Sequence, residues 1–114
     1  MATIVRTAAQ TQLMYRKEFE KIRKLIAAQL DDLMTVPDAG VSIEMLSANE
    51  AVITAYYPDL MDDSQAKADQ FDMASIARHS KYFKQVTIYD TVKPTYSDLY
   101  RGILPSISIE LTLV

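Results

Sequence analysis

The sequence contains no cysteine and only one histidine, His79, which removes most of the common metal and nucleophile chemistry. Without cysteine the chain can form no disulfide, thiolate metal site or thiol nucleophile, and its redox compartment is left open. Long apolar runs are also missing, since no segment approaches the roughly 18 to 20 apolar residues that cross a bilayer. We therefore expect no membrane segment in this chain.

The composition is that of one ordinary globular domain. A chain of 114 residues is near the commonest domain size and can enclose a single modest core. Hydrophobic residues make up 49% and charged residues 24%, proportions that argue against the disordered and fibrous classes. The net charge of -3 argues against a general affinity for nucleic acid, because such affinity needs a concentrated basic face.

A long helix pattern opens the sequence. No glycine or proline occurs between residues 7 and 34, and large apolar residues recur at spacings of three and four, which places them on one helix stripe. The first part of that stripe also fits a short coiled-coil seam with a partner helix, and its candidate interface residues are Tyr15, Phe19, Ile22 and Ile26. Residues 1–23 are accordingly interpreted as a helical extension or coiled-coil seam of a single domain, 1–114. Pro37 is expected to end the helix, and Gly40 to turn the chain into a strand.

Alternating and helical patterns then follow one another. Two strands joined by a polar turn are predicted at residues 41–46 and 51–57, and a second helix at 64–79 with Phe71 and Ala74 facing inward. Two more strands are predicted at 85–91 and 106–114, separated by a loop that holds a helical turn at 97–101. Since the strands alternate, one sheet face should be polar and carry Ser42, Glu44, Thr87, Ser108 and Glu110.

This order predicts an α+β fold. Two α-β-β units would pair into one four-stranded antiparallel sheet with both helices on one face. The prediction is a ferredoxin-like two-layer sandwich in the permuted order α-β-β-α-β-β.

Two segments carry a resemblance to a known family. The first is VPDAGVSIEML, from Val36 to Leu46, where a helix gives way to a proline, a glycine and an alternating strand. The second is HSKYFKQVTIYD, from His79 to Asp90, where a helix ends in Ser-x-Tyr-Phe before a strand, and the chain then finishes with SISIELTLV. Together they resemble the periplasmic domains of the fimbrial assembly (PilN/PilO-like) proteins of type IV pili and the related type II secretion assembly-platform proteins.

The resemblance covers residues 24–114 and implies a fold, a location and a role. In that family a helix or coiled coil leads from the membrane into an α-β-β-α-β-β domain. The implied location is periplasmic and associated with the inner membrane. The implied role is a scaffold that forms homodimers or heterodimers within a pilus or secretion machine and catalyses nothing.

Ionisable residues give little support for catalysis or metal binding. His79 stands where a helix should end, and there its side chain can satisfy free carbonyl groups. Five aspartates form an acidic patch whose spacing matches no calcium loop and which we interpret as an acidic helix start: Asp59, Asp62, Asp63, Asp69 and Asp72. We expect no metal site, no cofactor and no enzymatic activity.

Tyrosine is the more informative residue type. Six of the seven tyrosines lie from residue 56 onward, which is about the second half of the chain, and tyrosine is favoured at protein interfaces because it joins a large ring to a polar tip. Tyr89, Tyr96 and Tyr100, near the long loop, are the candidate interface residues of this half. The leading hypothesis is therefore a non-enzymatic assembly domain with a protein partner, as a homo-oligomer or a heterodimer.

Two alternatives stay open. One is a small phage or virus structural subunit that forms rings, which would place the protein in a virion or the cytoplasm. The other is a small-molecule-binding or enzymatic sandwich that would use Tyr56, Asp62 and His79.

Overall fold

The computed structural model describes residues 7–37 and 40–114. Three helices and four strands follow one another along these residues: α1 (Ala8–Asp32), β1 (Val41–Met45), β2 (Glu50–Tyr56), α2 (Asp63–Arg78), β3 (Phe83–Ile88), α3 (Tyr96–Tyr100) and β4 (Ser106–Leu113). All strand pairs are antiparallel. The predicted α+β class with a four-stranded antiparallel sheet is therefore confirmed.

The sheet has the strand order β1-β2-β4-β3, so β1 and β3 are its edges. β1 and β2 form a regular hairpin in which Ile43 is opposite Ile53. In turn, Ile53 lies opposite Ile109 in the pairing of β2 with β4. The pairing of β3 with β4 is less regular, because the register shifts between Phe83 and Gln85.

One face of the sheet forms the core together with side chains of α1 and α2. The two central strands bury every second residue on this face, which gives the set Ala51, Ile53, Ala55, Ile107, Ile109, Leu111 and Leu113. From the helices, the largest buried side chains are Phe19, Ile22, Ile26, Leu30 and Met73. Burying each large apolar side chain contributes about 1.5–3 kcal/mol, so this cluster is the main source of stability. On the opposite sheet face Ser42, Glu44 and Thr87 are exposed as the alternation predicted, whereas Ser108 and Glu110, on the central strand β4, are only partly exposed.

The two ends of α1 are closed by backbone and side-chain caps. At its start, Thr7 and Gln10 form a capping box, with Gln10 N donating to Thr7 Oγ1 at 3.1 Å. At its end, the amides of Met34 and Thr35 bond to the carbonyls of Asp31 and Leu30, at 2.9 and 3.1 Å. This is a Schellman turn, in which Met34 takes the left-handed position with φ of 59°. The helix thus ends at Asp32, before Pro37 can act on it.

Gly40 is needed because the backbone passes close to its neighbours. A β-carbon at this position would lie 2.8 Å from Val36 Cγ1 and 3.0 Å from the carbonyl oxygen of Tyr56. Both distances are shorter than ordinary van der Waals contacts allow, so a side chain would push β1 away from the end of β2. Gly40 thus serves the close packing of the backbone where the chain enters β1. Residues 38 and 39 lie outside the described residues.

The inward face of α2 differs from the prediction. Phe71 was expected to face the core but is 65% exposed, whereas Asp69 and Gln70 are buried. Both polar side chains are buried because they find hydrogen-bond partners: Asp69 accepts from Tyr57, and the Gln70 amide donates to the carbonyl oxygen of Tyr89 at 2.8 Å. These bonds rotate the helix so that Phe71 points outward. The assignment of Phe71 to the core was wrong.

Candidate interaction surface

The loop between β3 and β4 is tied to the fold at its base. Val92 and Ser106 exchange two backbone hydrogen bonds, of 3.0 and 3.2 Å. The Lys93 ammonium lies 2.5 Å from a carboxylate oxygen of Asp63 at the start of α2. Because both side chains are more than half exposed, this ion pair contributes little free energy, and the backbone bonds between Val92 and Ser106 are the main attachment of the loop.

The short helix α3 within this loop is capped at both ends. At its start, Thr95 Oγ1 accepts from the amide of Asp98, and Asp98 Oδ2 accepts from the amide of Thr95 at 2.9 Å, so the two residues form a capping box. The hydrogen bonds from the backbone and hydroxyl of Thr95 lower the pKa of the Asp98 carboxyl. At its end, Gly102 has φ of 81°, and Ile103 N bonds to Asp98 O at 3.0 Å, which completes a Schellman turn. A helix of five residues is too short to hold its shape by itself, and these caps replace the missing internal bonds.

α3 carries the two most exposed tyrosines among the candidate interface residues. The exposed fraction is 75% for Tyr96 and 94% for Tyr100. A spacing of four residues puts both rings on the same side of the helix. Val92 and Ile103, on either side of α3 in the chain, are also about half exposed. We call Tyr96 and Tyr100 together the tyrosine pair.

Tyr89 lies at the end of β3 and is partly engaged within the chain. Its amide donates to the carbonyl oxygen of Ser108 at 3.2 Å. Burial, and then the charge of Glu110 and a hydrogen bond to it, raise the pKa of the Tyr89 hydroxyl. Tyr89 is therefore held through its backbone and, at 39% exposed, is less accessible than Tyr96 and Tyr100.

The predicted coiled-coil seam lies mostly inside the chain. Phe19, Ile22 and Ile26 are buried in the core. Tyr15 is partly buried and packs edge-on against Tyr82, with ring centroids 6.4 Å apart. In the described structure these side chains contact the chain's own sheet and α2–β3 connection, so they present no continuous apolar stripe to a partner helix.

Comparison with protein-family models, characterised proteins and solved structures finds no match to this chain. Among residues 7–37 and 40–114, no group of three or more acidic or histidine side chains is arranged to hold a metal ion. No helix in the described part of the chain is long and apolar enough to cross a membrane.

The three residues of the enzymatic alternative do not meet. Asp62 is the N-cap of α2 and His79 is its C-cap. Sixteen helical residues separate them, which corresponds to roughly 25 Å along the helix axis. His79 is used locally, with Nδ1 2.6 Å from the carbonyl oxygen of Ser75, as expected for a residue that ends a helix. Tyr56, 43% exposed at the end of β2, cannot join both into one site.

Sequence reasoning missed a buried polar network between β2 and α2. Tyr57 Oη donates to Asp69 Oδ2 at 2.5 Å, and Gln65 Nε2 donates to Asp69 Oδ1 at 2.8 Å. Burial, together with the hydrogen bond to Asp69 and its charge, raises the pKa of the Tyr57 hydroxyl. Asp69 had been grouped with an acidic helix start, but its side chain is wholly buried. The spacing of Gln65 and Asp69 by one helical turn was the only signal in the sequence.

Proposed function

We propose that this chain is a non-enzymatic assembly domain with the permuted ferredoxin-like arrangement, in which α1 and α2 cover the same face of the sheet. The strand order β1-β2-β4-β3 supports it, because each helix-hairpin unit supplies one edge strand and one central strand. The contacts of α1 with β1 and of α2 with β3 and β4 support it as well. Such a layer leaves the other sheet face, the edges and the loops free for partners.

The observation that carries the proposal is the tyrosine pair on a doubly capped helix. Exposed aromatic rings lose few rotamers on binding, and tyrosine is enriched among the residues that dominate binding energy. The caps of α3 fix the backbone that carries the two rings, so less backbone ordering entropy is lost when a partner binds. No other described feature combines this exposure with such preorganisation. Binding to another protein is thus the use that the loop best fits.

The contribution of the tyrosine pair to binding affinity can be estimated from general values. Truncating a tyrosine that is central to an interface costs at least about 2 kcal/mol, which is roughly a 30-fold loss of affinity. Losing both rings should therefore weaken association by more than two orders of magnitude, unless their effects overlap. Neither ring contributes to the core, since α3 has no buried residue. The fold should survive both changes.

The test is sedimentation velocity of the purified protein over about 1–200 µM, a range that covers typical weak and moderate dissociation constants. The wild type is expected to associate as concentration rises, and the double variant Tyr96→Ser, Tyr100→Ser to shift this association to much higher concentration. The matched control is Phe71→Ser, which removes an aromatic ring that is 65% exposed on α2. A protein that is monomeric throughout would contradict the assembly role, and an association that the double tyrosine variant leaves unchanged would contradict the tyrosine pair as its contact site.

We further propose that the partner machine is a type IV pilus or type II secretion platform. This rests on the resemblance of residues 36–46 and 79–90 to the assembly-platform domains. Sequencing the neighbouring genes tests it directly. Pilus or secretion genes beside this one are expected, and capsid or tail genes would contradict the platform and favour a phage particle.

A further inference from the structure

Strand β1 has a free edge whose backbone groups point away from the sheet. In an antiparallel hairpin, alternate residues bond to the partner strand and the residues between them direct N–H and C=O outward. The amide of Leu46 bonds to the carbonyl oxygen of Glu50 at 2.9 Å, so even-numbered residues of this strand face β2. Val41, Ile43 and Met45 therefore point their backbone groups outward.

Two further bonds support this assignment. The amide of Tyr57 bonds to the carbonyl oxygen of Pro105 at 2.8 Å, so the odd-numbered residues of β2 bond to β4 rather than to β1. The Arg23 guanidinium donates to the carbonyl oxygen of Val41 at 3.3 Å from the open side of β1. This long bond is the only one in the described residues that reaches the outward groups of β1.

The two edges of the sheet differ in their protection. Natural edge strands are commonly protected by bulges, lysines or prolines that prevent pairing with another chain. β3 has such devices, because its register shifts around Lys84. β1 has the sequence VSIEM, with no lysine, arginine or proline, and it pairs with β2 without a bulge. β1 is thus the edge suited to accept another strand.

We propose that β1 pairs antiparallel with β1 of a second copy of this chain, with Ile43 on the two-fold axis. The inference rests on the proposed function, since it takes association as the role of the domain, and it adds the partner and the place of contact. Val41 of each copy then lies opposite Met45 of the other, and about six backbone hydrogen bonds can form. The long bond from Arg23 to Val41 is replaced in the process.

Side chains on the polar sheet face fit the same pairing. Centred on Ile43, the pairing places Ser42 of each copy opposite Glu44 of the other. A hydroxyl donor thus faces a carboxylate acceptor twice, and no like charges are opposed. Any pairing shifted by one residue would put the core-facing side chains of one copy beside the polar face of the other, so this register is favoured.

The experiment exploits this cross-strand pair. Ser42→Glu would place carboxylates opposite each other at two symmetric positions and is expected to raise the dimer dissociation constant at least about tenfold. Combining Ser42→Glu with Glu44→Lys sets opposite charges against each other at the same positions and is expected to restore the dimer. Gln85→Glu is the control, because it adds the same charge to an exposed position of the other edge strand. Both Ser42 and Glu44 are exposed, and far-ultraviolet circular dichroism checks that each variant is folded.

Hydrogen exchange separates this inference from the tyrosine pair. In the edge-paired dimer the amides of Ile43 and Met45 become protected as protein concentration rises, whereas association through α3 leaves them exchanging freely. A dimer in which these amides stay unprotected, or one that Ser42→Glu does not weaken, overturns the edge pairing while leaving the proposed function standing. Protected amides together with charge-reversal rescue support the edge pairing, even if the tyrosine variants prove to be without effect.

Discussion

Removing a single hydroxyl group should reveal how much the buried hydrogen-bond network between β2 and α2 contributes to the free energy of unfolding. In Tyr57→Phe, the ring is kept and only the donor to Asp69 is lost. Asp69 is wholly buried, and its other oxygen is already bonded to Gln65 at 2.8 Å. No solvent can replace the missing donor without opening the core.

The expected loss of stability follows from the geometry. A hydrogen bond to a charged group contributes about 1.5–3 kcal/mol, and a buried acceptor left without its donor costs a similar amount. The bond is short, at 2.5 Å between Tyr57 Oη and Asp69 Oδ2, so we place Tyr57→Phe at about 2–3 kcal/mol in the free energy of unfolding. The neighbouring substitution Tyr56→Phe should cost less than about 0.5 kcal/mol, because that residue is largely at the surface.

Urea unfolding followed by circular dichroism measures the difference. For a domain of this size the slope is about 1–3 kcal/mol per molar urea, so the midpoint should fall by about 0.7–3 M in Tyr57→Phe. The effect should also depend on pH. Since the folded state raises the pKa of Tyr57, its contribution is complete below the ordinary tyrosine pKa of about 10 and is lost as pH rises above it. The gap between wild type and Tyr57→Phe should therefore narrow in strong alkali.

A result within about 0.5 kcal/mol of wild type, or equal effects of Tyr57→Phe and Tyr56→Phe, would refute this reasoning. Either outcome would mean that Asp69 finds a replacement donor, or that the hydroxyl is solvated in the native state. A double-mutant cycle with Asp69→Asn would then help to locate the error, because the coupling energy measures how much of the bond depends on the charge of the carboxylate.

Three other substitutions or conditions test separate features. Gly40→Ala should destabilise the protein by about 1–3 kcal/mol, because the new methyl group would clash with Val36 and the Tyr56 carbonyl. Thermal unfolding should show a smaller loss of stability for Gly102→Ala, where the backbone conformation is strained for alanine but no atom lies close to the new methyl group. Met34→Gly should stabilise by about 1 kcal/mol, since glycine takes the left-handed conformation without penalty, and an unchanged or lower melting temperature would count against the Schellman turn. Acid should loosen α3: the lowered pKa of Asp98 means that its stabilising contribution is present above pH about 4 and lost as pH falls below that, which hydrogen exchange of the Tyr96–Tyr100 segment would detect.

The faces of β1, β2 and β4 could be predicted because alternate burial governs them, whereas β3 (Phe83–Ile88) begins two residues and ends three residues before the predicted strand 85–91. In β4, alternate residues are buried from Ile107 to Leu113, and the sequence shows the same alternation without ambiguity. The boundaries of α2 were predicted within one residue, since Asp62 and His79 carry ordinary end signals. The residue pattern of a segment was thus enough to predict its structure wherever that segment buries only one of its faces.

Hydrogen bonds between residues far apart in the chain could not be predicted from the sequence. The rotation of α2 depends on Asp69 and Gln70 meeting groups that lie far along the chain, and a helical wheel counts both as surface residues. Phe71 was misplaced for that reason. The end of α1 was likewise set by a turn around Met34, a residue that does not favour the left-handed conformation it adopts. In the candidate site, the sequence identified the tyrosines, but the capping hydrogen bonds at the two ends of α3 became visible only from the backbone geometry.

The way α3 is attached has an evolutionary consequence. Its stem is fixed by bonds between Val92 and Ser106, its ends are closed by residues of the loop itself, and none of its side chains enters the core. Mutations at Tyr96 and Tyr100 can therefore accumulate without compensating changes elsewhere in the domain. Related proteins could share the sheet and both long helices yet recognise quite different molecules through this one segment.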